Sequence, residues 1–246
     1  MCTSGPWSSA GSRATRRAET QEGVRVVAGA RVQGEELSQL TTDADARFVA
    51  VDLRTADGAA RLIADATSAF GGLDILVNNV SAVRPRLDGF LSITDADWSE
   101  ALTVNFLAAV RTTRAALPHL LERGAGTIVT VCSINAFLPD PLVMDYCAAK
   151  AALANFSKAL SKEVGSRGIR VNTVSPGPVS TALWLGKGGV AETIAPAGAG
   201  DAQAVARQAA TGIVTGRFTR PDRSGRPGRA AGQRPRRQRH RRGRCH

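Results

Sequence analysis

The chain has 246 residues, 43% of them hydrophobic, enough to build one sizeable core. Its formal charge of +11 sits at one end: residues 1–216 carry 20 Lys+Arg against 20 Asp+Glu, whereas residues 217–246 carry 12 Arg and one acid, Asp222. That excludes a basic nucleic-acid-binding body. Four scattered cysteines and three histidines (His119, His240 and His246) exclude a disulfide scaffold and give no metal-type spacing, so no metal is expected. There is no bilayer-length apolar run, and MCTSGPWSSAGSR at the start lacks a signal peptide's apolar core. A reduced, cytoplasmic setting without membrane contact is the expectation.

In chain order, apolar runs with strand character alternate with helical patterns, the pattern of a parallel sheet with crossover helices. Strands are predicted at residues 24–30 (VRVVAGA), 47–51 (RFVAV), 73–78 (LDILVN), 127–132 (TIVTVC) and 169–174 (IRVNTV). Helices are predicted at 55–70, 95–122 and 144–166. Thr94 suits an N-cap, Gly124 and Gly168 suit helix stops, and Pro118 predicts a kink or break in the long middle helix. Three segments follow: residues 1–23, a degraded glycine-loop stretch; 24–216, the core; and 217–246, an Arg-rich tail without hydrophobic periodicity that reads as disordered.

The chemistry concentrates in the core. Tyr146 and Lys150 stand four apart on a predicted helix and share a face. Ser133 follows the strand TIVTVC, at the carboxyl end where open parallel sheets place ligands. A free phenol has a pKa of about 10, so proton transfer near neutrality calls for a neighbouring cation, the role expected of Lys150. Ser133 is expected to hydrogen-bond a substrate oxygen, and Asn105, within TVNF, to hold a relay water. Taken singly, a Tyr-x-x-x-Lys pair is also a common surface pattern, and a serine also simply ends a strand.

Taken together, these residues resemble the short-chain dehydrogenase/reductase family. DILVNNVSA is similar to that family's Asn-Asn-Ala-Gly segment, with Val80 and Ser81 in place of Ala-Gly and less space beside the cofactor. VNF is similar to its helix asparagine, and SPGPVST (175–181) to its Pro-Gly turn over the nicotinamide. The resemblance implies a single α/β domain with a Rossmann-like, doubly wound parallel sheet, here without a normal first and last strand. It implies a catalytic tetrad of Asn105, Ser133, Tyr146 and Lys150. It places Asp52 and Leu53 beside the adenine and Asn79 and Val80 along the cofactor. Pro176, Gly177, Val179 and Thr181 fall at the nicotinamide carboxamide, and residues 182–198 form a mobile substrate lid whose Leu183, Trp184 and Leu185 suggest either an apolar substrate component or packing within the lid. Arg31 follows the strand 24–30 with no acid in place, which favours NADP(H) over NAD(H). A small-molecule carbonyl or alcohol substrate and a homodimer or homotetramer are further implications.

The ends depart from the family. Its glycine loop is matched only by Ser4-Gly5-Pro6-Trp7-Ser8-Ser9-Ala10-Gly11, which assigns Gly5, Ser9 and Gly11 to the pyrophosphate, with Pro6 and Trp7 crowding the turn and the spacing one residue off. Codons for residues 225–246, read from their second base, permit ADLVALLASDRAANVTGAD, one open position and VI, which resembles the family's final helix and strand. The expectation is therefore a reading-frame shift just after Asp222, with a second disturbance near the start. Three functions compete: an NADP(H)-linked oxidoreductase, a catalytically impaired protein of the same fold, and weak nucleic-acid binding through the tail. The last is disfavoured because the tail lacks interleaved aromatics.

Overall fold

The computed structural model describes residues 24–33, 38, 45–187, 189–195, 201–213 and 216–220. Gly5, Ser9, Gly11, the proposed frame change and nearly all of the Arg-rich tail lie outside the described residues.

Among the described residues five strands and the main helices follow in the order β1 (Val26–Ala30), β2 (Ala46–Ala50), α1 (Ala56–Phe70), β3 (Ile75–Asn78), α2 (Asp95–Leu102), α3 (Ala108–Glu122), β4 (Gly126–Val131), α4 (Met144–Val164) and β5 (Ile169–Val174). Three short helices follow: α5 (Ala182–Leu185), α6 (Val190–Ile194) and α7 (Ala202–Thr211). Among the described residues all strand pairing is parallel, in a two-stranded sheet of β1 and β2, with Ala30 opposite Ala50, and a three-stranded sheet in which β4 lies between β3 and β5. This is the expected Rossmann-like α/β fold.

One buried cluster joins Ile63 of α1, Leu76 of β3, Ala116 and Leu120 of α3, Ile128 of β4, Leu160 and Val164 of α4, and Ile169 of β5. A second joins Val49, Val51 and Leu53 around β2 to Ala59, Leu62 and Ala108. Burying these faces supplies the main drive for the fold, because isolated helices of this length are marginal in water.

The helix ends carry their own signals. Thr55 caps α1 by accepting the Gly58 N–H, and Thr94 and Asp97 form a reciprocal capping box on α2. Gly58 has a steric reason as well: a Cβ there would stand 2.1 Å from the Asp52 carbonyl oxygen. Gly168 turns the chain into β5 at φ 81°, with its missing Cβ only 2.3 Å from the Gly124 carbonyl oxygen.

The middle helix is interrupted, but at a different place from the one predicted. α3 runs through Pro118. Pro118 and Arg114 are both exposed, so the carbonyl that loses its partner lies on the solvated side of the helix. The interruption is a π-turn at Thr103–Leu107, where the Ala108 N–H reaches back to the Thr103 carbonyl. Such turns collect at functional sites, and this one carries Asn105.

Candidate active site

The parallel strands deliver their carboxyl ends to one edge. Asn79 and Val80 follow β3, Ser133 follows β4, and Pro176 and Gly177 follow β5. The Ile134 N–H donates to the Pro176 carbonyl at 3.0 Å, tying the serine turn to the Pro-Gly turn. Beyond it Val179 pairs with Thr219, whose N–H donates to the Pro178 carbonyl at 3.0 Å. Thr181 is half-buried and starts the turn into α5, and Trp184 packs edge-on against Phe218 with ring centres 5.3 Å apart. Part of the apolar character of the expected lid is therefore internal packing.

α4 places Tyr146 and Lys150 one turn apart. The Lys150 side chain is among the most deeply buried of the described residues. Its ammonium donates to the Val131 carbonyl at 3.0 Å and lies 5.6 Å from the centre of the Tyr146 ring. Burial draws its pKa down to about 8, against a small opposing effect of Cys132. Burial pushes the Tyr146 phenol above its ordinary value, and hydrogen bonding with Ser133 and Ser81 draws it partway back. The sequence points to Lys150 as the group that lowers this phenol. In the structure the two serines do the lowering and burial outweighs them.

Ser133 is buried, and its oxygen accepts the Asn135 N–H at 3.2 Å. Its hydroxyl donates a long bond to Asn135 Oδ1 at 3.4 Å, which it would give up to reach a substrate oxygen. Asn105 is 1% exposed and fully engaged. Its Oδ1 accepts from Ser81 Oγ at 2.8 Å and the Ala82 N–H at 3.0 Å, and its Nδ2 donates to the carbonyls of Ala82 at 2.8 Å and Ala101 at 3.0 Å. These four bonds fill its side-chain capacity. Asn105 thus clamps the loop after β3 to the π-turn, and a relay water at this position would have to use backbone groups. Ser81, read from sequence only as a residue that narrows the cofactor space, belongs to this polar network. Its small polar side chain beside two asparagines was the available signal.

A further ionic group sits behind the tyrosine. Arg86 contacts Asp145 at 3.1 and 2.5 Å and Asp97 at 2.8 Å, and Asp145 Oδ1 accepts the Tyr146 N–H at 2.9 Å. The Arg86 N–H donates to the Leu142 carbonyl at 2.7 Å. Sequence inspection missed this group because its members lie 11 and 59 residues apart.

At the other end of the site, Arg31 is exposed just after β1, and Asp52 is half-buried just after β2. Hydrogen bonds from Arg54, at 2.6 to 3.0 Å, hold the Asp52 carboxyl below its ordinary value, and the nearby Arg31 charge adds to this. Arg54 also meets Glu100 at 3.3 Å, and Arg111 donates to its carbonyl. The Leu53 side chain lies in the core, which leaves its backbone to face a ligand. The Asn79 and Val80 positions are half-buried, Val80 against the second cluster.

The site suits a nicotinamide cofactor on one structural ground. The buried Lys150 ammonium has three donors and a single carbonyl acceptor at 3.0 Å among the described residues, so two donors await acceptors such as ribose hydroxyls. Among those residues no group of three His, Cys, Asp or Glu could hold a metal, and no helix is long and apolar enough to cross a membrane.

Comparison with known proteins agrees with this geometry. The family model described as short chain dehydrogenase matches residues 11–187. Dehydrogenase/reductase SDR family member 4 of Homo sapiens is 34% identical over 183 residues, covering 71% of this chain and 65% of the relative, so the chain spans just under two thirds of that protein's length. 2,5-Dichloro-2,5-cyclohexadiene-1,4-diol dehydrogenase LinX of Sphingobium indicum is 33% identical over 187 residues, covering 74% of this chain and 73% of the relative. Among solved structures, L-sorbose reductase of Gluconobacter frateurii, crystallised with NADPH and L-sorbose, superposes with a TM-score of 0.81 at 30% identity, covering 91% of this chain and 85% of that one. With Ser133, Tyr146 and Lys150 gathered at the carboxyl edge of a parallel sheet, the chain belongs to the short-chain dehydrogenase family.

Proposed function

We infer that the protein is an NADP(H)-dependent oxidoreductase that transfers hydride between nicotinamide and the carbon of a carbonyl or secondary alcohol, with Tyr146 as general acid and base. The observation that carries this reading is the buried Lys150, whose ammonium lies 5.6 Å from the centre of the Tyr146 ring. The nicotinamide supplies or accepts the hydride when bound. A phenol held neutral by burial suits the reductive direction, in which Tyr146 releases its proton to the forming alkoxide and Ser133 hydrogen-bonds the same oxygen. Lys150 holds the ribose side, and Asn105 and Arg86 keep the strand-end loop and the start of α4 in register.

NADP(H) preference rests on Arg31, exposed after β1 with no acid beside it on that strand. The NADPH found in the L-sorbose reductase complex agrees with it. Cofactor positions are assigned to Asp52, Leu53, Asn79, Val80, Pro176, Gly177, Val179 and Thr181. A cytoplasmic enzyme accords with the buried free thiols of Cys132 and Cys147. A homodimer or homotetramer accords with exposed apolar side chains such as Leu91, at 97%.

The test is NADPH binding by calorimetry, followed by turnover on a panel of ketones and secondary alcohols, for the full chain and for Tyr146→Phe. Binding with turnover that disappears in Tyr146→Phe supports the reading. A folded chain that binds no NADPH overturns it in favour of the impaired protein, and retention on DNA that is lost on truncation at Asp222 points to the tail.

A further inference from the structure

Ser133 enters the proposed reaction as a hydrogen-bond donor to the substrate oxygen, yet in the structure its proton is already engaged. It caps the short turn Ile134–Ala136, accepting the Asn135 N–H at 3.2 Å, and its hydroxyl lies 3.4 Å from Asn135 Oδ1. Which amide atom faces the serine is fixed at the other end of that side chain. Asn135 Nδ2 stands 3.5 Å from the sulfur of Cys147, a buried residue that follows Tyr146 on α4. The Asp140 N–H donates to the same sulfur at 3.3 Å, and the thiol proton has the Asp140 carbonyl as its acceptor at 3.5 Å. A thiol holds one proton, so towards Asn135 the sulfur can only accept, and the atom facing it is the amide nitrogen. Oδ1 is left to face Ser133. An amide oxygen carries no proton, so Ser133 donates.

We propose that Asn135 is a positioning residue that latches the Ser133 hydroxyl in the resting site and releases it when a carbonyl oxygen arrives. No covalent bond changes in this step. The Ser133 proton swings from Asn135 Oδ1 to the substrate oxygen, while the Asn135 N–H keeps the serine oxygen in place. Cys147 sets the amide, so the turn after β4 and the helix that carries Tyr146 are tied through one side chain. The latch and the carbonyl compete for one proton, and the latch therefore weakens ketone binding. The inference rests on the reading of Ser133 as donor to the substrate oxygen.

Steady-state kinetics with NADPH and the ketone of the panel that is turned over fastest are measured on the full chain for wild type, Asn135→Ala and Asn135→Asp. Asn135→Ala keeps the backbone N–H and removes the competing acceptor. KM for the ketone should fall about threefold, the worth of a weak hydrogen bond, with kcat and KM for NADPH changed by less than about twofold. Asn135→Asp sets a carboxylate on the hydroxyl and should raise the same KM about tenfold, the worth of a bond to a charged acceptor. A role confined to holding the turn makes both variants worse. An unchanged or raised KM for the ketone in Asn135→Ala, or a lowered one in Asn135→Asp, would overturn the proposal.

The amide also gives a readout that needs no turnover. The chain has six asparagines, and in NMR spectra of the full chain carrying isotope-labelled asparagine the Asn135 side-chain pair is the one that Asn135→Ala removes. That pair should move in both Ser133→Ala and Cys147→Ala. A pair that stays in place in either variant overturns the latch. If wild type binds no NADPH and turns nothing over, the oxidoreductase reading fails, while the NMR comparison still decides whether Asn135 joins Ser133 to Cys147.

Discussion

The Lys150 ammonium reaches across from α4 to donate to the Val131 carbonyl, 3.0 Å away, in the last residue of β4. One hydrogen bond does not compensate a buried cation, and its pKa of about 8, against an ordinary 10.5, records the imbalance. The shift corresponds to about 3 kcal/mol of folding stability at neutral pH. The sign is destabilising: between about 8 and 10.5 the unfolded chain holds the proton more tightly, so stability rises with pH through that window. Lys150→Met should therefore abolish turnover yet raise the thermal midpoint by about 5 °C at pH 7, after allowance for the lost carbonyl bond. The gap to wild type should narrow as pH rises from about 8 towards 10.5. Differential scanning calorimetry at several pH values checks this, and a lower midpoint for Lys150→Met at pH 7 would contradict it.

Asp145 presents the opposite balance. Its carboxylate is buried but receives Arg86 through two nitrogens and the Tyr146 N–H besides. Removing Arg86 leaves a buried carboxylate beside Tyr146 without its cation, which costs about 3 kcal/mol. Arg86→Met should lower the thermal midpoint by about 10 °C in a domain of this size. Arg86→Lys should recover little, because a single ammonium cannot span Asp145 and Asp97 as the guanidinium does. Equal stability of Arg86→Lys and wild type would show that the fork geometry is irrelevant.

The residues that chain-order patterns could reveal are those whose role is local. β5 was legible to the residue, and the other four strands to within two, because short apolar runs bounded by Gly, Asn or Asp leave few alternatives. Tyr146 and Lys150 were legible because one helix turn sets their spacing. The break in the middle helix was misplaced because Pro118 is a loud local signal with a solvated remedy, whereas the π-turn is held by Asn105 through partners in a distant loop. The Arg86, Asp97 and Asp145 group was likewise illegible, since it depends on which loop the fold brings against α4.

Asn105 offers a sharper test of that long-range wiring. Alanine in its place removes four hydrogen bonds, two of them to the Ala82 and Ala101 carbonyls, from a side chain that is 1% exposed, a loss of about 3 kcal/mol. Asn105→Asp keeps the shape but sets a second acceptor against those two carbonyls, so it should be no more stable than Asn105→Ala above neutral pH. Urea denaturation of both variants at pH 8 checks the ranking. A near-wild-type Asn105→Asp would mean that the amide donors contribute little.

Under the proposed NADP(H) reading, cofactor choice turns on the pair of strand ends where Ala30 stands opposite Ala50. Arg31 lies exposed beyond the first and carries its charge close to Asp52 beyond the second. Asp52 is already neutralised by Arg54, at 2.6 Å, which leaves the Arg31 charge less committed to it. A guanidinium there pairs with a 2′-phosphate through charge-assisted hydrogen bonds, whereas ribose hydroxyls gain little from it. Arg31→Ala should raise KM for NADPH by about tenfold or more while KM for NADH changes less than about twofold. Arg31→Asp should go further, repelling the phosphate and offering an acceptor to the hydroxyls, so that the ratio of kcat/KM values moves towards NADH. Steady-state kinetics with both cofactors decides the matter. If Arg31→Ala weakens NADH and NADPH equally, Arg31 supports the strand end and has no part in phosphate recognition.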